Sequence, residues 1–337
     1  MRAIIADYAR LLRLPGLGGL SVAPVFGALS VGVTDIYLLI LLFLLGACSA
    51  IYGFVLNDYI DVKVDKLSKE LGNRPLVKGT ISQHTAVFIC IATFILAFVI
   101  IFGWFYTPNI SFGIALGFIL LSALLGTLYN IYGKRFVGSD ILVALSEGFL
   151  VLTGAYLVLP QGQLTIFTWI FALLTFNQLL YMNAIMGGLK DADHDYLMNV
   201  KNFALSSGVH ITKENTLVVP TAFRVSGLFI RIISIILVFL PFTYFSQTSS
   251  PAHLIILLIF SIGVLVLSEK FLSQKTFDRS KLRKLITGQT FLRYSLIPLM
   301  LFYLIGFIPV VILIIFPFIW YILFTLLIHE HLFKPVL

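Results

Sequence analysis

Long apolar runs separated by short polar stretches fill most of the chain. A helix that crosses a membrane needs about 20 mostly apolar residues, and eight runs of roughly this kind precede the basic stretch that begins at Lys270. They cover positions 14–33, 36–56, 85–106, 110–131, 141–159, 166–186, 217–245 and 253–267. The pattern predicts an all-α protein, a polytopic membrane helix bundle.

The C-terminal run, positions 291–328, is too long for a single span. We expect it to break near Gly306 and Pro309 into two helices, which places an additional C-terminal helix at about 309–330. A single broken or re-entrant ninth helix is the alternative. The prediction is therefore a bundle of 9–10 transmembrane helices.

Basic residues lie on one side of this bundle when the N-terminus is placed inside. Of the 23 Lys and Arg residues, all but Arg224, Arg231 and Arg293 fall in the segments that then face inward. Basic residues accumulate on the cytoplasmic side of membrane proteins. We therefore expect a multi-pass protein of the cell membrane whose N-terminus and inner loops are cytoplasmic.

Composition agrees with a membrane protein and excludes a soluble one. Hydrophobic residues make up 59% of the 337 residues and charged residues 11%, whereas soluble domains average about 25% charged. The net charge of +8 comes from the inner loops, so no nucleic-acid partner is expected. Cys48 and Cys90 fall within apolar runs and are expected to be buried and free, and no cleavable signal peptide is visible.

The two longest inner segments cover about 57–84 and 187–215. Each is too short to form a separate domain. We therefore expect one integral-membrane domain over residues 1–337, with these two segments as caps of the bundle and with no obligate protein partner.

Six of the ten Asp residues are concentrated in two places, each just after an apolar run. Asp58, Asp61 and Asp65 follow the second run at spacings of three and four, which puts them on one face of a helix. Three acids on one face repel one another, and a divalent cation removes that repulsion. Mg²⁺ takes oxygen ligands and typically bridges carboxylates to substrate phosphates. We prefer such a site to the alternative, a solvated helix end balanced by lysines.

The second group, Asp191, Asp193 and Asp195, follows the sixth run on the same side of the predicted membrane. Asp191 and Asp195 share a helix face, whereas Asp193 points elsewhere in a regular helix. Two acidic clusters that face each other across an apolar cavity suit a diphosphate held by Mg²⁺, with its hydrocarbon tail in the membrane.

Phosphate groups need basic partners, and several lie in the same inner segments. They are Arg74, Lys78, Lys134, Arg135, Lys190 and Lys201, although each also fits the general inward bias of basic residues. Arg224 and Arg231 fall within an apolar run, where a charged residue is a functional candidate by default. The alternative is a later start of that helix, with Arg224 at the membrane interface.

The residues around the first Asp cluster resemble the first signature of the UbiA superfamily of intramembrane prenyltransferases. The matching residues are Asn57, Asp58, Asp61 and Asp65, followed by Asn73, Arg74, Pro75, Leu76, Gly79, Ile81 and Ser82. The second signature is matched by Asp191, Asp195, Lys201, Phe203 and Ala204, with Asn199 and Asn202 where the family usually has Gly and Thr. The stretch from Tyr129 to Lys134 resembles the family's Tyr/Lys element.

This resemblance implies a bundle of helices around a central, lipid-open cavity, capped by the two Asp-rich cytoplasmic loops. It implies a prenyltransferase that binds a polyprenyl diphosphate through Mg²⁺, ionises its C1–O bond and passes the allylic cation to an acceptor. Nine spans are typical of the family, so a tenth would be a departure.

The resemblance also implies a role for each site residue. Asp58, Asp61 and Asp65 would bind one Mg²⁺, with Asn57 orienting the site. Asp191 and Asp195 would bind a second one. The substrate would be bound by Arg74, Tyr129, Lys134, Lys190 and Lys201.

Two details of the first signature bear on the identity of the acceptor. Its Asn-Arg-Pro-Leu residues and the spacing from Asp65 to Arg74 favour an aromatic, quinone-precursor-type ring. Geranylgeranyl transfer to a glycerol-phosphate lipid is the alternative. A non-enzymatic membrane transporter is a further alternative, for which broken helices at matching midplane positions would be expected.

Overall fold

The computed structural model describes residues 2–66, 71–133, 135–159, 163–198 and 200–328. Within those ranges, nine helical segments are long and apolar enough to cross a membrane. They are Ile4–Ser30, Ile36–Lys63, Gln83–Trp104, Ile110–Tyr132, Asp140–Val158, Ile166–Lys190, Thr221–Thr243, Pro251–Leu272 and Phe307–Ile328. The prediction of an all-α membrane bundle is confirmed.

The first segment is broken into three helices. They are α1 (Arg2–Leu11), α2 (Leu14–Leu20) and α3 (Ala23–Ser30). Arg13, between the first two, has φ 48° and ψ 43°, a left-handed conformation that an L-residue rarely adopts. Pro15 and Pro24 lie in the first turns of α2 and α3, where proline is favoured because the missing N–H has no partner to lose.

Five long helices follow, and short polar residues start several of them. They are α4 (Ile36–Asp65), α6 (Gln83–Trp104), α7 (Ile110–Tyr132), α8 (Asp140–Val158) and α9 (Ile166–Leu180), with a 3-10 turn (Leu71–Asn73) and the one-turn α5 (Pro75–Lys78) between α4 and α6. Ser82, Asn109 and Thr165 each accept a hydrogen bond from a backbone N–H of the first turn that follows. Helix α4 continues through the first Asp cluster, beyond the predicted end of its span at Leu56.

The sixth span ends in a series of short elements that carry the second Asp cluster. A π-helix (Tyr181–Gly187) extends α9 and is followed by α10 (Gly188–Lys190), α11 (Ala192–Leu197), α12 (Phe203–Ser206), β1 (His210–Ile211) and β2 (Leu217–Val218). The two strands pair antiparallel. A π-turn inserts one extra residue into a helix and is frequent at functional sites.

The seventh span begins later than the sequence predicted. Positions 217–220 are extended and end at Pro220, so α13 covers Thr221–Thr243 and is followed by α14 (Pro251–Leu272). Arg224 therefore lies in the first turn of α13 and pairs with Glu269 in an exposed contact. Arg231, two turns further on, is fully buried.

The C-terminal run breaks at Gly306, as predicted. Helix α15 covers Arg279–Met300, a short α16 covers Phe302–Ile305, and α17 covers Phe307–Ile328. Gly306 has φ 83°, which glycine adopts without strain. Helix α15 starts 12 residues before position 291, the predicted start, because its first turns are basic and carry no apolar signal.

Helix α15 is too polar to count among the nine apolar segments, yet it extends from one end of the bundle to the other. At its start, Arg279 donates hydrogen bonds to the Lys190 carbonyl (3.3 Å) and to Asp193 (2.6 Å). Near its far end, the Leu299 carbonyl lies 2.8 Å from Nε2 of His253 at the beginning of α14. Helix α15 therefore spans the bundle as an antiparallel partner of α14.

The last helix packs against the first. Nε1 of Trp320 donates to the carbonyl of Leu14 at 2.7 Å, and Arg10 reaches the carbonyl of Ile328 at 3.3 Å. These contacts bring the end of α17 to the end of the bundle that carries Asp58 and Asp191. We call this end the Asp end.

The apolar interior has one large cluster and two smaller ones at the Asp end. The large cluster joins α3, α4 and α6–α9 with α13–α15, and α3 and α8 touch so closely that a Cβ on Gly154 would lie 1.9 Å from the Pro24 carbonyl oxygen. One small cluster supports the first Asp loop and consists of Leu11, Val55, Val62, Leu76, Ile81, Ala86 and Cys90. The other supports the second loop and includes Tyr181, Ile185, Met186, Leu189, Phe223, Phe271 and Leu282.

Candidate active site

The last two turns of α4 carry Asp58, Asp61 and Asp65 on one face. All three are buried, with 5%, 7% and 2% of their surface exposed. The C-terminal end of a helix bears partial negative charge, which disfavours further acids there. Burial of a charged group is costly unless it is paired. The cluster therefore requires positive charge from elsewhere in the fold.

Two arginines supply part of that charge. Nη1 of Arg74 lies 2.5 Å from Asp65 Oδ2 and 3.2 Å from Asp58 Oδ1. Nη2 of Arg13 lies 2.9 Å from the same Asp58 oxygen. Burial alone would lower the pKa of Arg74, but the carboxylates of Asp58 and Asp65 outweigh it, and the pKa is raised. Arg74 is thus held in its charged form by the acids it contacts.

Arg13 is a site residue that sequence reasoning assigned only to the general inward bias of basic residues. It sits at the kink between α1 and α2, and its guanidinium lies over the Phe54 ring at 4.7 Å from the centroid. Its carboxylate partner, Asp58, is 45 residues away in the chain. No local pattern links two such positions. The left-handed backbone at a non-glycine residue is a feature that often accompanies functional sites.

The second Asp cluster lies at the junction of α10 and α11, and each of its three acids has a different partner. Nζ of Lys190 lies 3.2 Å from Asp191 Oδ2. Asp193 turns away and binds Arg279 of α15, as its place on another side of the helix led us to expect. Asp195 accepts a hydrogen bond of 2.6 Å from Asn202.

Asn202, one of the two departures from the family signature, makes two contacts in the second Asp segment. Its side chain donates to Asp195 and also accepts from the backbone N–H of Leu205, which caps α12. A single amide thus orients a carboxylate and starts the next helix. Asn199, the other departure, lies outside the described residues.

The elements that carry the two Asp clusters border one cavity, beside Tyr129. The Tyr129 hydroxyl donates a hydrogen bond of 3.4 Å to Asn183, which lies in the π-helix that precedes the second cluster. Tyr129 lines a cavity of about 170 Å³ between α4, α7, α8 and α9, and Asn57 lines the same cavity. The predicted convergence of the two clusters is thus consistent with the arrangement of these helices.

The predicted basic residues are placed in three different ways. Arg74 contacts the first cluster and Lys190 the second, as described above. Lys201 is exposed near Asn202. Lys134 lies outside the described residues.

The cavity contains one acid that the sequence analysis did not single out. Glu147 of α8 lines it together with Ser146, Ser122 of α7 and Asn183. In the sequence, Glu147 is a lone acid inside an apolar run. That position within a predicted span is a signal that could have identified it.

A second cavity, of about 240 Å³, adjoins the first at Arg13. Three arginines, Arg10, Arg13 and Arg74, line it together with Asp58 and with Tyr321 of α17. Positive charge thus exceeds negative charge on its wall. An anionic group is the ligand that such a wall favours.

The carboxylates are not arranged as a complete metal cage. Within the described part of the chain, no three His, Cys, Asp or Glu side chains are grouped closely enough to hold a metal ion by themselves. The donor set nevertheless suits Mg²⁺, which accepts one or two carboxylates from a protein and fills its other positions with water and substrate phosphate. Asp58, Asp61 and Asp65 offer such oxygens in one cluster, and Asp191 and Asp195 offer them in the other.

Known proteins resemble this chain along most of its length. The model of the UbiA prenyltransferase family matches residues 20–287. The digeranylgeranylglyceryl phosphate synthase of Saccharolobus solfataricus is 28% identical over 260 residues, which cover 72% of this chain and 86% of that protein. A 4-hydroxybenzoate octaprenyltransferase of Francisella tularensis subsp. novicida is 27% identical over 178 residues, 52% of this chain and 59% of that protein.

Solved structures resemble the fold as well. The structure of a UbiA homologue from Archaeoglobus fulgidus bound to GPP and Mg²⁺ superposes with a TM-score of 0.59 at 19% identity, covering 89% of this chain and 99% of that one. At this level of identity the likeness concerns the fold alone.

Proposed function

The chain belongs to the UbiA prenyltransferase family, and from that premise we propose that it transfers a polyprenyl group from a prenyl diphosphate to a lipophilic acceptor with the help of Mg²⁺. The observation that carries the proposal is that the elements bearing the two carboxylate clusters border one cavity, whose wall includes Asn57, Tyr129 and Asn183. Such an arrangement suits a substrate with an anionic head and an apolar tail.

Mg²⁺ would be held by Asp58, Asp61 and Asp65 in one cluster and by Asp191 and Asp195 in the other. When bound, it supplies positive charge to the diphosphate as that group leaves. The Mg²⁺-bound homologue from Archaeoglobus fulgidus supports this choice of ion.

The chain's own residues would stabilise the leaving diphosphate and shield the cation. Arg74 and Lys190 lie beside the two clusters. Lys201 belongs to the second Asp segment and Lys134 to the segment between α7 and α8, and all four would contact the phosphate oxygens. Negative charge grows on those oxygens as the C1–O bond breaks, so fixed cations there lower the barrier. Tyr129 presents a ring that can stabilise an allylic cation.

The acceptor we propose is a glycerol-phosphate lipid, the alternative in the sequence analysis. The cavity lined by Arg10, Arg13 and Arg74 would receive its phosphate. The relative with the longer match to this chain is a digeranylgeranylglyceryl phosphate synthase, whose product carries two geranylgeranyl groups on glyceryl phosphate. In this case the new bond joins C1 of the donor to a glycerol hydroxyl oxygen.

An aromatic acid is the second candidate acceptor. Its support is the match to a 4-hydroxybenzoate octaprenyltransferase and the Asn-Arg-Pro-Leu residues that follow the first Asp cluster. The same arginine-lined cavity would accept a carboxylate. In this case the new bond joins C1 to a ring carbon.

We also propose that the Asp end faces the cytoplasm. The support is the distribution of basic residues, which accumulate in the loops at this end. The water-soluble part of each substrate would then reach the site from the cytoplasmic side.

Purified protein incubated with Mg²⁺ and labelled geranylgeranyl diphosphate tests these proposals. Geranylgeranylglyceryl phosphate and 4-hydroxybenzoate are offered separately, and the prenylated lipid is expected from the first. Asp58→Asn and Asp191→Asn are expected to lose the activity, while Glu214→Gln, an exposed acid on the loop before β2, is the control. Unchanged activity in both Asp variants would refute the assignment of the two clusters, and a product from 4-hydroxybenzoate alone would select the second candidate.

A further inference from the structure

We propose that Glu147 is a further catalytic residue, the base that takes up the proton which the acceptor loses when the new prenyl bond forms. The inference rests on the proposed prenyl transfer. It holds for either acceptor, because a hydroxyl oxygen and an aromatic ring carbon each release one proton on alkylation.

The position of Glu147 places a carboxyl group inside the cavity but away from the Asp clusters. Glu147 is seven residues into α8, which begins with Asp140 at the Asp end, so it lies roughly 10 Å along that helix. Val143, Ser146 and Glu147 have the spacing of one helix face, and all three line the cavity. Glu147 thus faces the space that the reacting groups would share.

Glu147 has no partner in the part of the chain that the structure describes. No hydrogen bond or ion pair to its carboxyl group is found among the described residues. The other acids near the cavity differ, since Asp58 pairs with arginines and Asp191 pairs with Lys190. Glu147 is half-buried and lines the cavity, so its carboxyl group is accessible to a molecule bound there. A bound group that offers a proton would give it the partner that the described residues do not.

Ser146 shows that this face of α8 is fixed in place. Its hydroxyl donates to the Ser122 carbonyl at 2.8 Å, and a Cβ on Gly126 of α7 would lie only 3.3 Å from its oxygen. Helices α7 and α8 are therefore in close contact beside Glu147. A catalytic carboxyl group has to be held by rigid elements of this kind to act on a bound substrate.

The proton balance of the reaction requires a base. The C1–O bond of the donor breaks, and its electron pair leaves with the diphosphate. The acceptor then gives an electron pair to C1, and one proton has to leave the attacking oxygen or the ring carbon. Water close to C1 would quench the allylic cation, so the proton is better taken by a side chain of the cavity than by water. The Glu147 carboxylate takes it, and the proton returns to water after the product leaves.

The other groups at the cavity are poorly suited to that task. Asp58 and Asp65 contact Arg74, and they are the acids proposed to hold Mg²⁺. The Tyr129 hydroxyl already donates to Asn183. Among the cavity-lining residues that the structure describes, Glu147 is the acid.

The test measures two products of the same reaction, released diphosphate and prenylated acceptor. Glu147→Gln keeps the shape of the side chain and removes the base. The rate of formation of prenylated product is expected to fall about 100-fold, the lower end of the usual rate contribution of a general base. Diphosphate release is expected to fall by less than about tenfold, because ionisation of the donor precedes proton loss. The ratio of diphosphate to product therefore rises, and prenyl alcohol from water capture is the expected by-product.

Two further variants keep the result interpretable. Glu147→Asp retains a carboxyl group and is expected to restore a ratio of diphosphate to product near that of the wild type. Glu269→Gln is the matched control, because Glu269 is also in a span but pairs with Arg224 outside the cavity. It is expected to leave both products unchanged.

The inference is overturned if Glu147→Gln makes wild-type amounts of product. It is also overturned if product and diphosphate release fall by the same factor, since that result would mean that Glu147 acts on ionisation or on folding. Wild-type protein that prenylates neither acceptor would refute the proposed function itself, and with it this inference.

Discussion

Replacement of Arg74 by methionine should destabilise the protein in the absence of Mg²⁺. The side chain of Arg74 is 18% exposed, and the side chains of its partners Asp58 and Asp65 are 6% and 3% exposed, so the contacts are largely shielded from solvent. Removal of one member of a buried ion pair costs about 3–5 kcal/mol. Asp58 keeps its contact with Arg13 at 2.9 Å, so we expect the lower end, about 3 kcal/mol.

Mg²⁺ should compensate for much of this loss. With Arg74 removed, the crowded carboxylates gain more from a bound cation than they do in the wild type. A ligand at about 100 times its Kd stabilises the folded state by about 2.7 kcal/mol. The difference in Tm between variant and wild type is expected to be roughly 6 °C without Mg²⁺, at about 2 °C per kcal/mol for a chain of this size, and to be mostly removed by saturating Mg²⁺.

A thiol-reactive fluorophore reports this unfolding without further engineering. Cys48 and Cys90 are both free and buried, so they react only when the bundle opens. Arg135→Met is the control, because Arg135 is exposed and its guanidinium lies over the ring of Tyr132. If Arg74→Met melts at the wild-type temperature in chelator, or if Mg²⁺ raises the Tm of both proteins equally, the charge balance described here is wrong.

Three further outcomes are expected. Gly154→Ala should destabilise the bundle by more than about 2 kcal/mol in the same thermal assay, because its Cβ would overlap the backbone of α3, whereas Gly117→Ala meets open space and should have no such effect. Arg231→Met should cost about 2–4 kcal/mol, because three hydrogen-bond acceptors and a tyrosine ring lose their partner, while Arg224→Met should cost less than about 1 kcal/mol. A cysteine in place of Tyr303, which is 45% exposed beyond the end of α15, should react with a membrane-impermeant thiol reagent only from the side opposite the Asp end; reaction from the Asp end would contradict a bundle-spanning α15.

The membrane class and most helices could be predicted because the signals are local. Apolar runs of spanning length identified the helices. The length of the last run required a break, and Gly306 and Pro309 indicated its place. The larger errors occurred where polar residues interrupt a span. Helix α15 begins with Arg279, in a basic stretch too polar to be identified as part of a span by hydropathy. Helix α13 begins after Pro220, because positions 217–220 form an extended segment.

The Asp clusters could also be predicted, since spacings of three and four are a property of one helix. The separation of Asp193 from Asp191 and Asp195 followed from the same periodicity, and in the fold it binds Arg279. That Asp58, Asp61, Asp65, Asp191 and Asp195 hold Mg²⁺ and a diphosphate stays a prediction, which the Asp58 and Asp191 variants test.

What the sequence determined by itself is the class of the protein and the positions of its two acidic clusters, because hydropathy, helical spacing and a family signature are read over a few turns. Only the tertiary structure decided what meets those clusters. Arg13 reaches Asp58 across 45 residues, and Glu147 enters the cavity through the packing of α8 against α7. Contacts between helices depend on how whole segments cross and rotate, and no short stretch of sequence carries that information.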